Sequence, residues 1–240
     1  MKTSLEQDNW TEIAHPRTDL LLRRIVVGPL ATNCYLVGSQ RSKQAVLIDP
    51  GAEAATILDS VGDMKVSMIV LTHAHFDHVE AVAEVADSLG AAIAAHPADA
   101  PVWPNELSHL RTHGHFDAGT ATADLLASGC PLCLEPGTVE WDGSVDRLLR
   151  DGDRITVGES TCRILHTPGH TPGGLSVSVD GHVLTGDTLF PGGPGLTGWP
   201  LSDFPTIISS VSDRLFALPD ATMVHPGHGG STDIGGILLR

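Results

Sequence analysis

The sequence predicts an α+β protein, an αββα sandwich of two mixed β-sheets flanked by helices. Two observations carry this. Short apolar β-type runs come in two sets, each accompanied by a strand–helix unit. The His- and Asp-rich motifs lie just past the C-terminal ends of β runs, where mixed sheets gather their functional loops. Size agrees: a 240-residue chain with 41% apolar residues is globular. A chain of that length hides roughly 70–75% of its unfolded surface, enough for a core without staples.

The elements follow in order. Residues 1–19 are polar and read as a loose lead-in to a single domain covering 1–240. Three β runs come next, Leu20–Pro29, Asn33–Gly38 and Ala45–Pro50, separated by Gly, Pro and polar turns. A short helix is expected over Ala52–Val61 and a buried strand over Val66–Leu71. His78–Leu89 reads as one helix with Val79, Val82, Val85, Ala86 and Leu89 on one face, stopped by Gly90. A short strand follows at Ala91–Ala95. Residues 97–145 are proline-rich at first and lack an apolar core of their own, so they read as a lid-like insertion. Strands resume at Arg154–Val157, Cys162–Leu165, Leu175–Val179 and His182–Thr185, with Asp180-Gly181 as a hairpin turn between the last two. Phe204–Leu218 is an amphipathic helix presenting Ile207, Ile208, Val211, Leu215 and Phe216, and Thr222–Val224 is the last strand.

The segment from His73 to His78 packs three imidazoles and one carboxylate into six residues. His73 and His75 alternate on extended chain, so both can point the same way. Imidazole and carboxylate are zinc ligands at about 2.0–2.2 Å. Four donors this close exceed the need of one tetrahedral ion when further donors follow, which points to two adjacent metals. The further donors are His170 in a Pro/Gly-bounded turn, Asp187 at the end of a strand, and His228 after the last strand.

With these residues in view, the chain resembles the metallo-β-lactamase superfamily of hydrolases, from about Leu20 to Gly235. The residues that carry the resemblance are the H-x-H-x-D-H of His73, His75, Asp77 and His78, then His170, Asp187 and His228 in the family's order. The stretches T-P-G-H-T-P-G-G, G-D-T-L-F and H-P-G-H-G are most similar to the glyoxalase II-like branch. The resemblance implies a metallo-β-lactamase fold and two metal sites. His73, His75 and His170 would hold one ion, Asp77, His78 and His228 the other, and Asp187 would bridge them. Asp77 and Asp187 are the expected catalytic carboxylates. The expected cofactor is two zinc ions, with one iron, or a mixture of iron, zinc and manganese, as the alternative. Two metals about 3.5–4 Å apart can share a hydroxide that attacks a carbonyl. The expected reaction is hydrolysis of a thioester or related ester. The alternatives are oxidation by a persulfide dioxygenase with one iron on His73, His170 and Asp187, and lactonase or β-lactamase chemistry. One departure stands out. Related short members often carry an Arg after the G-D-x-L-F segment, whereas Pro191–Gly198 holds no basic residue. This counts against glutathione as the carrier.

Charge and termini bound the partners. Asp and Glu outnumber Lys and Arg by 29 to 14, which argues against nucleic acid or an anionic membrane surface and leaves a small-molecule substrate. The first residues hold no signal-type apolar stretch and no window approaches a membrane span, so the cytoplasm is the expected compartment. Cys130 and Cys133 form one isolated C-x-x-C and read as free thiols; Cys34 and Cys162 read as core residues. Three groups of residues remain open between two roles. Asp49 ends a strand and either orients a ligand imidazole or makes a turn. His166 and His225 each precede a proposed ligand and either support it or pack. His109, His113 and His115 read as surface histidines, the alternative being the substrate mouth. His182 is expected at the surface.

Overall fold

The computed structural model describes residues 10–14, 19–113 and 140–238. Its seven-stranded first sheet runs β1 to β7 in sequence order. The strands are β1 (Trp10–Ala14), β2 (Leu20–Val27), β3 (Thr32–Ser39), β4 (Gln44–Ile48), β5 (Lys65–Val70), β6 (Ala92–Ala95) and β7 (Arg147–Leu148). The first four are antiparallel neighbours; β4 through β7 are parallel. The second sheet is built from β8 (Arg154–Val157), β9 (Ser160–His166), β10 (Leu175–Val179), β11 (His182–Gly186), β14 (Met223–Pro226) and β15 (Thr232–Asp233). A two-stranded ribbon, β12 (Leu189–Phe190) with β13 (Gly193–Pro194), pairs with neither sheet but packs Leu189 onto the second.

Period-two alternation builds the layers. On β2 and β4, Leu20, Leu22, Val46 and Ile48 turn toward Cys162, Ile164, Val177 and Leu184, forming the core between the sheets. Their neighbours Leu21, Ile25, Ala45 and Leu47 turn outward, under α1 (Ala54–Val61) and α3 (Val82–Leu89). On the far side, Leu165, Val183 and Val224 pack against Val211 and Leu215 of the π-type turn Val211–Leu215 that continues α5 (Phe204–Ser210), and against Ile234 of α6 (Ile234–Leu238). This is the αββα sandwich.

Several expectations change in detail. Residues 10–14 are not a loose lead-in: β1 pairs with β2 from Trp10↔Ile25 to Ala14↔Leu21, and the Arg23 guanidinium lies 4.2 Å over the Trp10 ring. The helix expected over 78–89 is two pieces, α2 (Phe76–Val79) and α3. The Ala81 amide donates to the Pro50 carbonyl, taking the chain off the helical path between them. Gly90 stops α3 in the left-handed conformation, as expected. In the 97–145 segment, α4 (Val102–His113) is anchored on the first-sheet core by buried Trp103, whose indole donates to the Trp141 carbonyl. Ile208 is 40% exposed rather than inward. Asp180 and Gly181 both take positive φ, the two-residue hairpin turn. No helix among the described residues is long and apolar enough to cross a membrane.

Candidate metal centre

The donors converge because both sheets end their strands at the same edge. β5 delivers Thr72 to His75, and α2 then turns Asp77 and His78 inward. β9 leads into the loop of His170, β11 into Asp187, and β14 into His228. Backbone bonds stitch these loops across the sandwich. Leu175 donates to the Thr72 carbonyl, and Gly227 donates to Gly186. Asn33 of β3 reaches the second sheet three times: its amide N–H donates to Gly227, and its side chain to Pro226 and Gly229. The Tyr35 hydroxyl donates to the same Pro226 carbonyl at 2.8 Å.

Hydrogen bonds orient each ring. The Asp49 carboxylate accepts from His78 Nδ1 at 2.9 Å and from the Thr72 amide and hydroxyl at 2.7 and 2.6 Å. With its proton given to Asp49, the Thr72 oxygen faces His73 Nδ1 at 3.0 Å as acceptor. His170 Nδ1 donates to the Leu196 carbonyl and His228 Nδ1 to the Leu30 carbonyl. All four rings therefore turn Nε2 toward the centre and keep Nδ1 engaged behind it, the orientation a metal ligand requires. His75 is the exception: its Nδ1 points inward and its Nε2 faces Glu106 Oε1 at 3.9 Å.

The inward atoms fall into the two sets expected, His73/His75/His170 and Asp77/His78/His228, each with donors within 4.8 Å of one another. Asp187 stands between them. Its Oδ1 is 3.5 Å from His78 Nε2, and its Oδ2 is 3.6 Å from His170 Nε2 and 3.5 Å from His228 Nε2. His75 Nδ1 and His170 Nε2 are 3.0 Å apart. Two ligands of one tetrahedral zinc sit about 3.3 Å apart, so these spacings suit a shared ion. The buried atoms without a hydrogen-bond partner include His73 Nε2, His78 Nε2 and Asp187 Oδ1. Each faces the centre, and leaving such buried atoms uncompensated carries a cost that a metal ion there would relieve. The residues fit a binuclear metal site. A third grouping, Asp49 with His73 and His78, meets the same distance criterion but is not a metal site. Asp49 is occupied by Thr72 and by the outward nitrogen of His78.

Electrostatics divides the donors. Burial, and then neighbouring imidazoles, hold His73 well below the ordinary histidine value. Burial and His170 push His75 down to about 3, and burial lowers His170. Burial also opposes charge on His78 and His228, but Asp77 and Asp187 overcome it and raise them to about 9 and about 11. Asp77, despite burial, is held down at about 2 by His78 and His228. Asp187 is lowered in the same way.

Two residues with no signal in the sequence complete the site. Asp99, which follows β6, is 4% exposed. It accepts from the Ala74 amide, the Thr171 hydroxyl and the Gly173 amide, tying the His73–His78 loop to the His170 loop. Burial raises its carboxyl to about 6 against those hydrogen bonds. Glu106 of α4 accepts from the Phe76 amide at 2.6 Å, holding the start of α2. Asp49 settles as the residue that orients His78, and its backbone takes φ 52° to do so. The His225 ring is fully buried, with Nδ1 on Ser231 and Nε2 on His182. His182 is buried at 4% rather than exposed, because the pairing of β11 with β14 stacks it on His225. His166 stacks on His96 and contacts the Pro172 carbonyl through Nε2. Cys34 and Cys162 are free and buried, as expected. The side chains of His109 and His113, and the whole of His115, Cys130 and Cys133, lie outside the described residues.

A cavity of about 510 Å³ opens over the donors. His75, Asp77, His170, Asp187 and His228 form its floor; Leu30, Phe76, Phe190, Leu196 and Trp199 contribute its walls.

A two-sheet sandwich with this donor set defines a metal-dependent hydrolase that acts on a small molecule. The chain belongs to the metallo-beta-lactamase superfamily, whose family profile matches residues 27–228. An uncharacterized protein of Aquifex aeolicus is 35% identical over 90% of this chain and 93% of its own length. The hydroxyacylglutathione hydrolase GloC of Haemophilus influenzae is 31% identical over 88% of this chain and 92% of its own. The crystal structure of TTHA1623 in a di-iron-bound form superposes with a TM-score of 0.68 at 33% identity, covering 90% of this chain and 96% of that one.

Proposed function

We propose that the protein hydrolyses a thioester or a related activated ester at a two-metal centre. His73, His75 and His170 would hold one ion and Asp77, His78 and His228 the other, with Asp187 as the carboxylate that would serve both. The observation that carries this reading is the position of Asp187, with one carboxylate facing both donor sets at the floor of an apolar cavity. When bound, a metal pair supplies a Lewis acid for the acyl oxygen and a nucleophile drawn from water near neutral pH. Zinc and iron both suit imidazole and carboxylate donors, and the di-iron-bound TTHA1623 supports iron as well as zinc.

The chain's own groups set the geometry. Asp77 Oδ2 accepts from the Thr32 hydroxyl at 3.0 Å, which fixes the carboxylate against His228. Trp199 donates from its indole to the His170 carbonyl and meets the His75 and His170 rings edge-on, flanking that side of the site. In the net reaction a water oxygen bonds to the acyl carbon and the carbon–sulfur bond breaks. The thiol leaves with one proton of the water and the acid with the other. GloC supports the thioester class, since a hydroxyacylglutathione is a thioester.

The test is metal counting with thioester turnover. Two metals per chain are expected, and Asp77→Ala and His170→Ala should lose thioester hydrolysis at least about a hundredfold while keeping the far-UV circular dichroism spectrum. Normal turnover in both variants overturns the proposal. One iron per chain with oxygen uptake would establish oxidation instead, an assignment that leaves Asp77, His78 and His228 without an ion. Turnover of nitrocefin or lactones in preference to thioesters would redirect the reading to β-lactamase or lactonase chemistry.

A further inference from the structure

We infer that the substrate is an apolar acyl thioester whose thiol carrier is uncharged, not glutathione or another anionic thiol. This rests on the thioester reading above and adds the chemical class that the cavity selects.

The first observation is the wall. Phe190 lies over His228, with ring centroids 6.5 Å apart at an interplanar angle of 18°. Trp199 stands 4.8 Å from His170 on the side of the other donor set. Each half of the floor therefore has an aromatic flank, and Leu30, Phe76 and Leu196 extend the apolar lining. Leu196 is 75% exposed, and its backbone carbonyl orients His170, so the loop that places a metal donor also presents an apolar side chain at the mouth.

The second observation is charge. Among the described residues that line the cavity there is no Lys or Arg, and the charged residue there outside the donors is Glu106. The scarcity is written into the chain. Between Lys65 and Arg147 the sequence has one cation, Arg111, and between Arg163 and Arg240 it has one, Arg214. Arg214 is committed to Asp151. Arg24 donates to the Gly229 carbonyl and does not line the cavity. Residues 114–139 contain neither Lys nor Arg. A carrier of net negative charge would meet Glu106 and a chain of net charge −15, with no guanidinium or ammonium among the described lining residues to receive it. An uncharged carrier escapes that penalty, and an apolar acyl arm gains from the aromatic flanks.

Two matched thioesters test this on the metal-loaded enzyme: hexanoyl-glutathione and hexanoyl-N-acetylcysteamine, with the same acyl group and carriers that differ in charge. The expected result is a kcat/KM at least about tenfold higher for N-acetylcysteamine. On that carrier, kcat/KM should rise from acetyl to hexanoyl by up to about fourfold per methylene. Leu196→Arg should shift the ratio toward glutathione about tenfold at low salt, and less at high salt. Equal or faster turnover of the glutathione thioester overturns the inference while leaving thioester hydrolysis standing. So does a flat response to acyl length, or an unchanged ratio in Leu196→Arg. No hydrolysis of any thioester by enzyme carrying both metals overturns the proposed function and the inference with it.

Discussion

The Asp99 carboxylate accepts a hydrogen bond from the Gly173 amide at 2.5 Å, across 74 residues of sequence. Its other oxygen takes the Ala74 amide and the Thr171 hydroxyl, so one buried side chain spans the loops of His73, His75 and His170. Asp99→Ala would leave two amides and a hydroxyl unsatisfied in the interior, at about 1–3 kcal/mol each before relaxation. The expected outcome is a loss of stability in urea and a metal affinity about 10–100-fold weaker, measured by competition with a chromogenic chelator. Wild-type affinity in Asp99→Ala would show that the two loops hold their positions without it.

Asp49 and His78 permit a sharper substitution. Asp49 Oδ2 accepts both His78 Nδ1–H and the Thr72 hydroxyl. In Asp49→Asn one of the two acceptor oxygens becomes a donor. An amide group facing His78 would force Nδ1 to accept and move the ring proton to Nε2, the atom aimed at the metal. We expect close to one metal per chain in place of two, by elemental analysis of dialysed protein. Retention of both metals would refute the tautomer argument.

Gly227 lies where the centre closes. A Cβ there would sit 2.1 Å from Asp187 Oδ1 and 2.7 Å from His78 Cε1, so one or both must shift. Gly227→Ala should fold, since the strain is confined to the loop after β14. It should lose at least about a hundredfold in activity by displacing Asp187. Full activity in a folded Gly227→Ala protein would mean that the loop yields without moving the carboxylate.

The buried His182–His225 pair predicts the acid side of the stability profile. Burial, and then His182, lower His225 from 6.5 to about 3. A histidine with a depressed folded value binds protons more readily when unfolded. Its contribution is complete above pH 6.5 and is lost as pH falls from there toward 3. The slope is up to about 1.4 kcal/mol per pH unit. His225→Asn should flatten unfolding free energy against pH between 6.5 and 4, while costing about 1–3 kcal/mol at pH 7 from the broken bonds to His182 and Ser231. Urea titrations across that range check it; an unchanged slope would place the proton uptake elsewhere.

Much of the fold was legible because its signals are local. Alternation on β2 and β4 marks both faces of the first sheet, and Asp180-Gly181 marks a hairpin by needing two positive φ angles. The break between α2 and α3 was not legible, since it depends on the Pro50 carbonyl some thirty residues upstream. The burial of His182 was equally hidden, because its partner arrives on a parallel strand from position 225.

The same division holds at the site. The sequence by itself determined the donor types, their order and their strand-end positions, since H-x-H-x-D-H and the three later motifs are each contained in a few consecutive residues. Only the tertiary structure decided which nitrogen of each ring faces inward. It also brought Asp49, Asp99 and Glu106 to support the loops, and lined the cavity, among the described residues, with aromatic side chains and no Lys or Arg. The physical reason is range. Ligand identity is a property of single side chains. Ring orientation, loop support and substrate selection depend on hydrogen bonds and surfaces between segments that meet only when the two sheets close on each other.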